Sequence, residues 1–141
     1  MKCVLDSSVA LKWVLTEPDS DKALRLRDSY RLKQIELIAP DWFVLEVTNV
    51  LGKAAARQSI TEMQAIQARI EMNNDGPILI PSLPLVDVAF KLALQHRRAV
   101  YDLLYLALAL DQKCELVTAD DSLVRQLQPI YGCLVALSSL P

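Results

Sequence analysis

Four carboxylates stand where this chain could do chemistry. Asp6 closes the apolar run Cys3-Val4-Leu5, and Asp120 follows Leu116-Val117-Thr118-Ala119. Asp102 opens the apolar stretch Leu103–Leu110, and Glu46 stands near the start of a helical pattern. His96 is the sole histidine, so no Ser-His-Asp or Cys-His arrangement can be assembled around it. Carboxylates that converge without His or Cys suit hard divalent cations, Mg²⁺ or Mn²⁺. Left uncompensated, such acids repel one another and at least one retains its proton. A divalent ion removes that repulsion, activates water and supports in-line attack on phosphorus. Each acid also has a plainer reading, since Asp6, Asp102 and Asp120 are all placed to cap helices.

The elements that must bring these residues together follow from periodicity. Met1–Leu5, Glu36–Ala39, Ile78–Ile80, Cys114–Thr118 and Cys133–Leu137 read as short buried strands. Between them lie helical patterns: Ser7 or Ser8 to Val14, Asp19–Lys33, Asp41–Gln58, a segment opened by the capping box Thr61-Glu62-Met63-Gln64, Leu85–Arg97, Leu103–Leu110 and Ser122–Gln128. Inward positions are expected at Ala23, Leu24 and Leu32 in the second pattern and at Val86, Ala89, Leu92 and Ala93 in the fifth. Leu103–Leu110 is apolar around its circumference and should be buried on most sides. Strands separated by helical crossovers imply an α/β fold with a small, mainly parallel sheet of about five strands covered on both faces. In such sheets ligands gather outside the carboxyl ends of the strands, where Asp6, Asp120 and Asp121 fall.

Composition narrows the possibilities further. With 141 residues and 52% hydrophobic content the chain can bury one core, and a single domain over 1–141 is expected. Fifteen Lys and Arg against seventeen Asp and Glu give a net charge of −2, so charge alone does not carry nucleic-acid binding. The unpaired count of three cysteines, Cys3, Cys114 and Cys133, reads as free thiols in a reducing compartment, and a cytoplasmic protein is expected. No apolar run approaches a membrane span, so no membrane partner is expected.

A second set of residues could serve the acids. Glu46, Asn49, Lys53 and Arg57 share one helix face at i, i+3, i+7 and i+11. They read either as a metal ligand, its support and a phosphate track, or as an ordinary wet face. His96-Arg97-Arg98 is a basic cluster that could approach a phosphate, although helix C-termini favour cations in any case. Trp13 and Trp42, with Leu11, Val14 and Leu15, suggest a groove for a partner helix, or else core or homodimer contact. Other phosphate chemistries lack their residues. An aspartyl nucleophile would want a second acid where Ser8 stands, a receiver domain would want Asp where Ile80 and Pro81 stand, and no Gly-rich loop follows a strand.

Four blocks in this order resemble the PIN domains, and within them the VapC-type toxins: Asp6-Ser7-Ser8-Val9, Glu46-Val47-Thr48-Asn49-Val50-Leu51, Tyr101-Asp102-Leu103-Leu104-Tyr105-Leu106-Ala107-Leu108-Ala109 and Leu116-Val117-Thr118-Ala119-Asp120. The resemblance covers almost the whole chain. It implies a PIN-like three-layer sandwich and metal-dependent hydrolysis of RNA phosphodiesters, leaving a 5′-phosphate and a 3′-hydroxyl. It also implies a small antitoxin partner and a homodimer. Carried over residue by residue, Asp6, Glu46, Asp102 and Asp120 look like the metal-binding acids. Ser8 and Thr118 look like orienting hydroxyls, Asn49 like support, and Asp121 like a neighbour sharing the role of Asp120. Leu103 departs from the family, which usually has a smaller residue there, and that bears on packing. A protein of PIN shape without turnover, acting as a binding module, is the alternative.

Overall fold

The computed structural model describes all residues, Met1–Pro141. Its elements are β1 (Lys2–Leu5), α1 (Ser7–Ala10), a 3₁₀ turn (Leu11–Trp13), α2 (Ser20–Arg31), β2 (Glu36–Pro40), α3 (Trp42–Ala56) and α4 (Glu62–Asp75). There follow β3 (Ile78–Ile80), α5 (Val86–His96), α6 (Val100–Gln112), β4 (Glu115–Thr118), α7 (Asp121–Leu127) and β5 (Leu134–Ala136). All five strands pair in parallel, in the order β3-β2-β1-β4-β5. Val4 sits opposite Ile38 on one side and Leu116 on the other.

Successive strand residues point to opposite faces of a sheet. Cys3, Val4 and Leu5 are all buried, as are Leu37, Ile38 and Ala39 and then Leu116, Val117 and Thr118. Both faces of the central strands are therefore covered, which gives the expected three-layer α/β sandwich. The helix α6 packs against β1, β2 and β4. Its residues Leu103 to Ala109 are all buried, and the larger Leu103 is accommodated without exposure. No helix is long and apolar enough to cross a membrane.

The strand order carries the main functional consequence. From β1 the chain moves outward to β2 and β3, then returns to place β4 on the opposite flank of β1. The sheet changes direction between β1 and β4, and open parallel sheets bind ligands at the carboxyl side of such a switch point. Asp6 leaves β1 and Ala119-Asp120 leave β4 at that spot.

Two inward expectations are corrected. Leu32 is 69% exposed, because α2 stops at Arg31 and Lys33 turns the chain away in the left-handed region, at φ 59°. Val86 is 38% exposed, since α5 begins there and packs through Ala89 and Ala93 instead. For Trp13 the sequence leaves both a groove position and a core position open. It lies in the core, and its Nε1 donates to the Ala23 carbonyl at 2.9 Å, which ties the first turn to α2. Val14 and Leu15 do line a cleft of about 610 Å³, together with Ala54, Ile60 and Ala68. Trp42 lies elsewhere, stacked on Tyr101 with ring centroids 4.3 Å apart.

Candidate functional site

Asp6 is placed by the end of β1. Its backbone N–H donates to the Val117 carbonyl at 3.1 Å, so the sheet hydrogen bonding reaches the site itself. The side chain is 8% exposed and caps α1 by accepting from Ser8 N–H at 3.5 Å. Thr118, fully buried, donates to Asp6 Oδ2 at 2.6 Å, and Ser8 Oγ donates to the same oxygen at 3.0 Å. Both hydroxyls accept in turn: Thr118 Oγ1 from Asp120 N–H at 3.1 Å and Ser8 Oγ from Ala119 N–H at 3.0 Å. Ser8 and Thr118 thus couple the Asp6 carboxylate to the backbone that leaves β4.

Glu46 comes from the second turn of α3, whose other side carries Phe43, Val47 and Leu51 into the core. Its Oε1 accepts from Ser7 Oγ and from the Tyr105 hydroxyl, the latter at 2.8 Å. Ser7 Oγ also lies 3.4 Å from Asp6 Oδ1, so one hydroxyl stands between two acids. Asp102 is the third residue of α6. Ala99 occupies the N-cap without a side-chain bond, so capping does not explain Asp102. Asp120 does cap α7, accepting from Leu123 N–H at 3.1 Å with Oδ1, which leaves Oδ2 to point into the site. That oxygen and Asp102 Oδ2 share one guanidinium: Arg98 Nη2 stands 3.2 Å from Asp120 and 3.3 Å from Asp102.

A run of polar contacts therefore connects all four acidic residues: Ser7 donates to Glu46 and lies beside Asp6, Thr118 joins the Asp6 carboxylate to the Asp120 backbone N–H, and Arg98 joins the Asp120 and Asp102 carboxylates. Crowding has electrostatic consequences. Burial, then Glu46 and Asp102, push the Asp6 carboxyl up to about 6, against the pull of the Thr118 and Ser8 hydroxyls. Asp102 is also raised, by burial first, with Asp120 and Glu46 adding and Arg98 opposing. Burial, followed by the charges of Asp6 and Glu46, raises the Tyr105 hydroxyl, which keeps it a proton donor.

The donor set is all oxygen. No three acidic, histidine or cysteine side chains close on one point as a ready cage, because the carboxylates face hydroxyl and guanidinium partners. The donor chemistry nevertheless suits a hard divalent ion. One buried and three half-buried carboxylates, two of them raised above their ordinary range, have the oxygen chemistry and the mutual repulsion that a dication would relieve.

The remaining candidates stand further out. Asn49 is exposed and makes no hydrogen bond to Glu46, so the expected support comes from Ser7 and Tyr105 instead. Asp121 is exposed at the first turn of α7 and makes no side-chain bond. Lys53 and Arg57 are exposed, and Arg57, about 16 Å along the helix from Glu46 by the helical rise, lines the cleft with Val14 and Leu15. Ser7, Tyr105 and the position of Arg98 had no clear sequence signal. Tyr105 sits three residues beyond Asp102 on the same helix face, which was the one available hint.

The model of the PIN domain family matches residues 3–126, most of the chain. This chain belongs to the PIN domain family. Similar solved structures share the fold. The crystal structure of PAE2754 from Pyrobaculum aerophilum superposes with a TM-score of 0.71 at 18% identity, covering 99% of this chain and 94% of that one. VapBC2 from Rickettsia felis, solved bound to a DNA fragment from their promoter, gives 0.63 at 14% identity, over 96% of this chain and 97% of the other. No curated protein matches the chain significantly in sequence. In this PIN domain the hydrogen-bonded Tyr105 can be tested directly. Tyr105→Phe leaves the half-buried Glu46 carboxylate with one donor fewer and should cost about 1–2 kcal/mol. Urea unfolding with an unchanged m-value reads this, and an unshifted midpoint would show the bond to be dispensable.

Proposed function

We propose that this PIN domain is a metal-dependent endoribonuclease, of the VapC-type toxin class, that hydrolyses RNA phosphodiester bonds. The observation carrying the reading is the run of polar contacts that connects Asp6, Glu46, Asp102 and Asp120 at the switch point of the sheet. When bound, Mg²⁺ or Mn²⁺ supplies charge that neutralises the acids, activates water and stabilises the leaving oxygen. The chain itself orients the acids. Thr118 and Ser8 fix the rotamer of Asp6, Ser7 and Tyr105 fix Glu46, and the cap to Leu123 fixes Asp120. The test is incubation of single-stranded RNA with the whole chain and Mg²⁺ or Mn²⁺. Internal cleavage leaving 5′-phosphate ends, abolished by EDTA, is expected. An intact substrate under all conditions favours the binding-module alternative.

A small antitoxin would fit the cleft lined by Val14, Leu15, Ala54, Ile60 and Ala68. The exposed Phe90 and Leu94 of α5 offer apolar area for a homodimer. Lys53 and Arg57 are proposed to track RNA phosphates. Replacing both with Ala should lower the salt slope of RNA binding by about 1–2, as expected for one or two fewer phosphate contacts. An unchanged slope assigns them to the solvated face.

A further inference from the structure

Resting on the ribonuclease reading just given, we propose that Tyr101, backed by Trp42, is a stacking platform for a nucleobase of single-stranded RNA, next to the phosphate that is cut.

Two contacts, one above the other, join α3 to α6. On α3, Trp42 and Glu46 stand four residues apart, and on α6 so do Tyr101 and Tyr105. Residues at that spacing share one helix face, about 5–6 Å apart. The inner contact is the 2.8 Å bond from the Tyr105 hydroxyl to Glu46. The outer one is the Trp42–Tyr101 stack, with ring centroids 4.3 Å apart and planes within 8° of parallel. The stack therefore lies one helical turn from Glu46, and Tyr101 directly precedes Asp102 in the chain. A nucleotide whose phosphate meets the acids has its base, or that of its neighbour, within reach of these rings.

The indole is held still. The Trp42 backbone N–H donates to Ser82 Oγ at 3.1 Å, and Ser82 N–H donates to Asp41 Oδ1 at 3.0 Å. The start of α3 is thus clamped to the segment after β3. Trp42 covers one face of the phenol, yet Tyr101 stays 46% exposed, so the other face is the part left to solvent. The hydroxyls of Tyr30, Tyr105 and Tyr131 bond to the Gly76 carbonyl, Glu46 and His96, whereas that of Tyr101 has no partner in the chain. The edge-on pair of His96 and Tyr131, at 84°, has no comparable flat outer surface.

Charge explains why such a platform is needed. The chain carries a net charge of −2, and its site is built of carboxylates, so attraction to phosphate alone does not hold RNA here. Base stacking on an aromatic side chain is independent of that balance. It also selects single strands, because bases inside a duplex have both faces covered. Tyr101 thus serves substrate binding, and Trp42 positions it.

The test uses the full chain in EDTA at low salt, with two fluorescein-labelled probes read by anisotropy. One is a short unstructured RNA, and the other is an abasic ribose-phosphate chain of the same length. The parent should bind the RNA about tenfold tighter than the abasic chain, and Tyr101→Ala should lose that margin while holding the abasic chain within about twofold of the parent. Tyr101→Phe should keep the margin. Tyr101→Leu still covers the indole but has no aromatic face, so it replaces the alanine variant if that one does not fold. In steady-state cleavage with Mg²⁺, Tyr101→Ala should raise KM about tenfold and move kcat by no more than about twofold. Equal losses on both probes, unchanged RNA binding, or a fall in kcat in place of a rise in KM overturns the platform. So does a parent that binds neither probe, or a dimeric parent made monomeric by the substitution, which would mark this face as a contact between copies of the chain. A parent that cleaves RNA without the tenfold margin keeps the ribonuclease reading and loses only the platform. A parent that shows the margin and its loss in Tyr101→Ala, yet never cleaves, keeps the stacking site and loses the ribonuclease reading.

Discussion

Asp102→Asn should reduce metal-dependent RNA cleavage by roughly a thousandfold or more, about 4 kcal/mol of transition-state stabilisation, while leaving the fold intact. Asp102 is tied to the other acids through Arg98 and through charge. Its carboxylate bonds Arg98, and its charge raises Asp6. Asn preserves the shape and one acceptor but removes the charge that a divalent ion needs. The stability change should be small, within about 1 kcal/mol, because two effects oppose. Losing a carboxylate weakens the hold on Arg98, and it also relieves repulsion from Asp120 and Glu46. Mn²⁺ should raise the melting temperature of the parent, since the ion binds the native state preferentially, and raise that of the variant far less. If Asp102 served only the helix, its effect would be limited to a favourable charge in the first turn of α6. Cleavage and the metal shift would then both survive. Paired melting curves with and without Mn²⁺, and one cleavage assay, separate the outcomes.

Some of this centre was legible before any coordinates. An acid directly after an apolar strand-like run marks the carboxyl end of a parallel strand, and that logic located Asp6 and Asp120. The hydroxyl pattern around them was also readable, because Ser8 and Thr118 sit within two residues of an acid. Capping and chemistry appeared as alternatives in the sequence. The structure shows that for Asp6 and Asp120 capping is one part of the placement, since one oxygen can cap while the other faces the site. What could not be read depends on contacts between distant segments. Ser7 and Tyr105 meet Glu46 across 39 and 59 residues, and no local pattern reports that. Arg98 looked like one of three basic residues at a helix end. Its position follows from the left-handed Arg97 that precedes it, a conformation that non-glycine residues adopt infrequently. Trp13 stayed open between groove and core, because size and apolarity alone do not distinguish a groove wall from a core residue whose indole N–H finds a carbonyl.

The parent should lose stability as pH rises from about 4 to about 7, and Asp6→Asn should remove a large part of that loss. Asp6 ordinarily ionises near 3.8, and in the folded chain it is pushed up to about 6, chiefly by burial and then by Glu46 and Asp102. A folded-state value above the unfolded one means that the native protein holds the proton more tightly. The contribution is fully present below the unfolded value and is lost as pH rises through the folded one. A displacement of about two units corresponds to about 3 kcal/mol as an upper bound. Asp102 is raised and works in the same direction, whereas Asp75, lowered chiefly by its bond to Arg31, loses its contribution only as pH falls below about 3.8, outside this window. The parent-minus-variant difference isolates Asp6. Asn keeps one acceptor for Ser8 and Thr118, and those hydroxyls can rotate to accept from its amide, so the variant should fold. Urea unfolding at pH 4, 5, 6 and 7 should show the variant gaining on the parent as pH rises, with the largest advantage at pH 7. Added Mg²⁺ should shrink that advantage, because a dication favours the ionised carboxylate of the parent and has less hold on the variant. A pH-independent difference between the two chains would show that the Asp6 proton is not held by the fold. An advantage that persists unchanged in Mg²⁺ would separate Asp6 from the metal site.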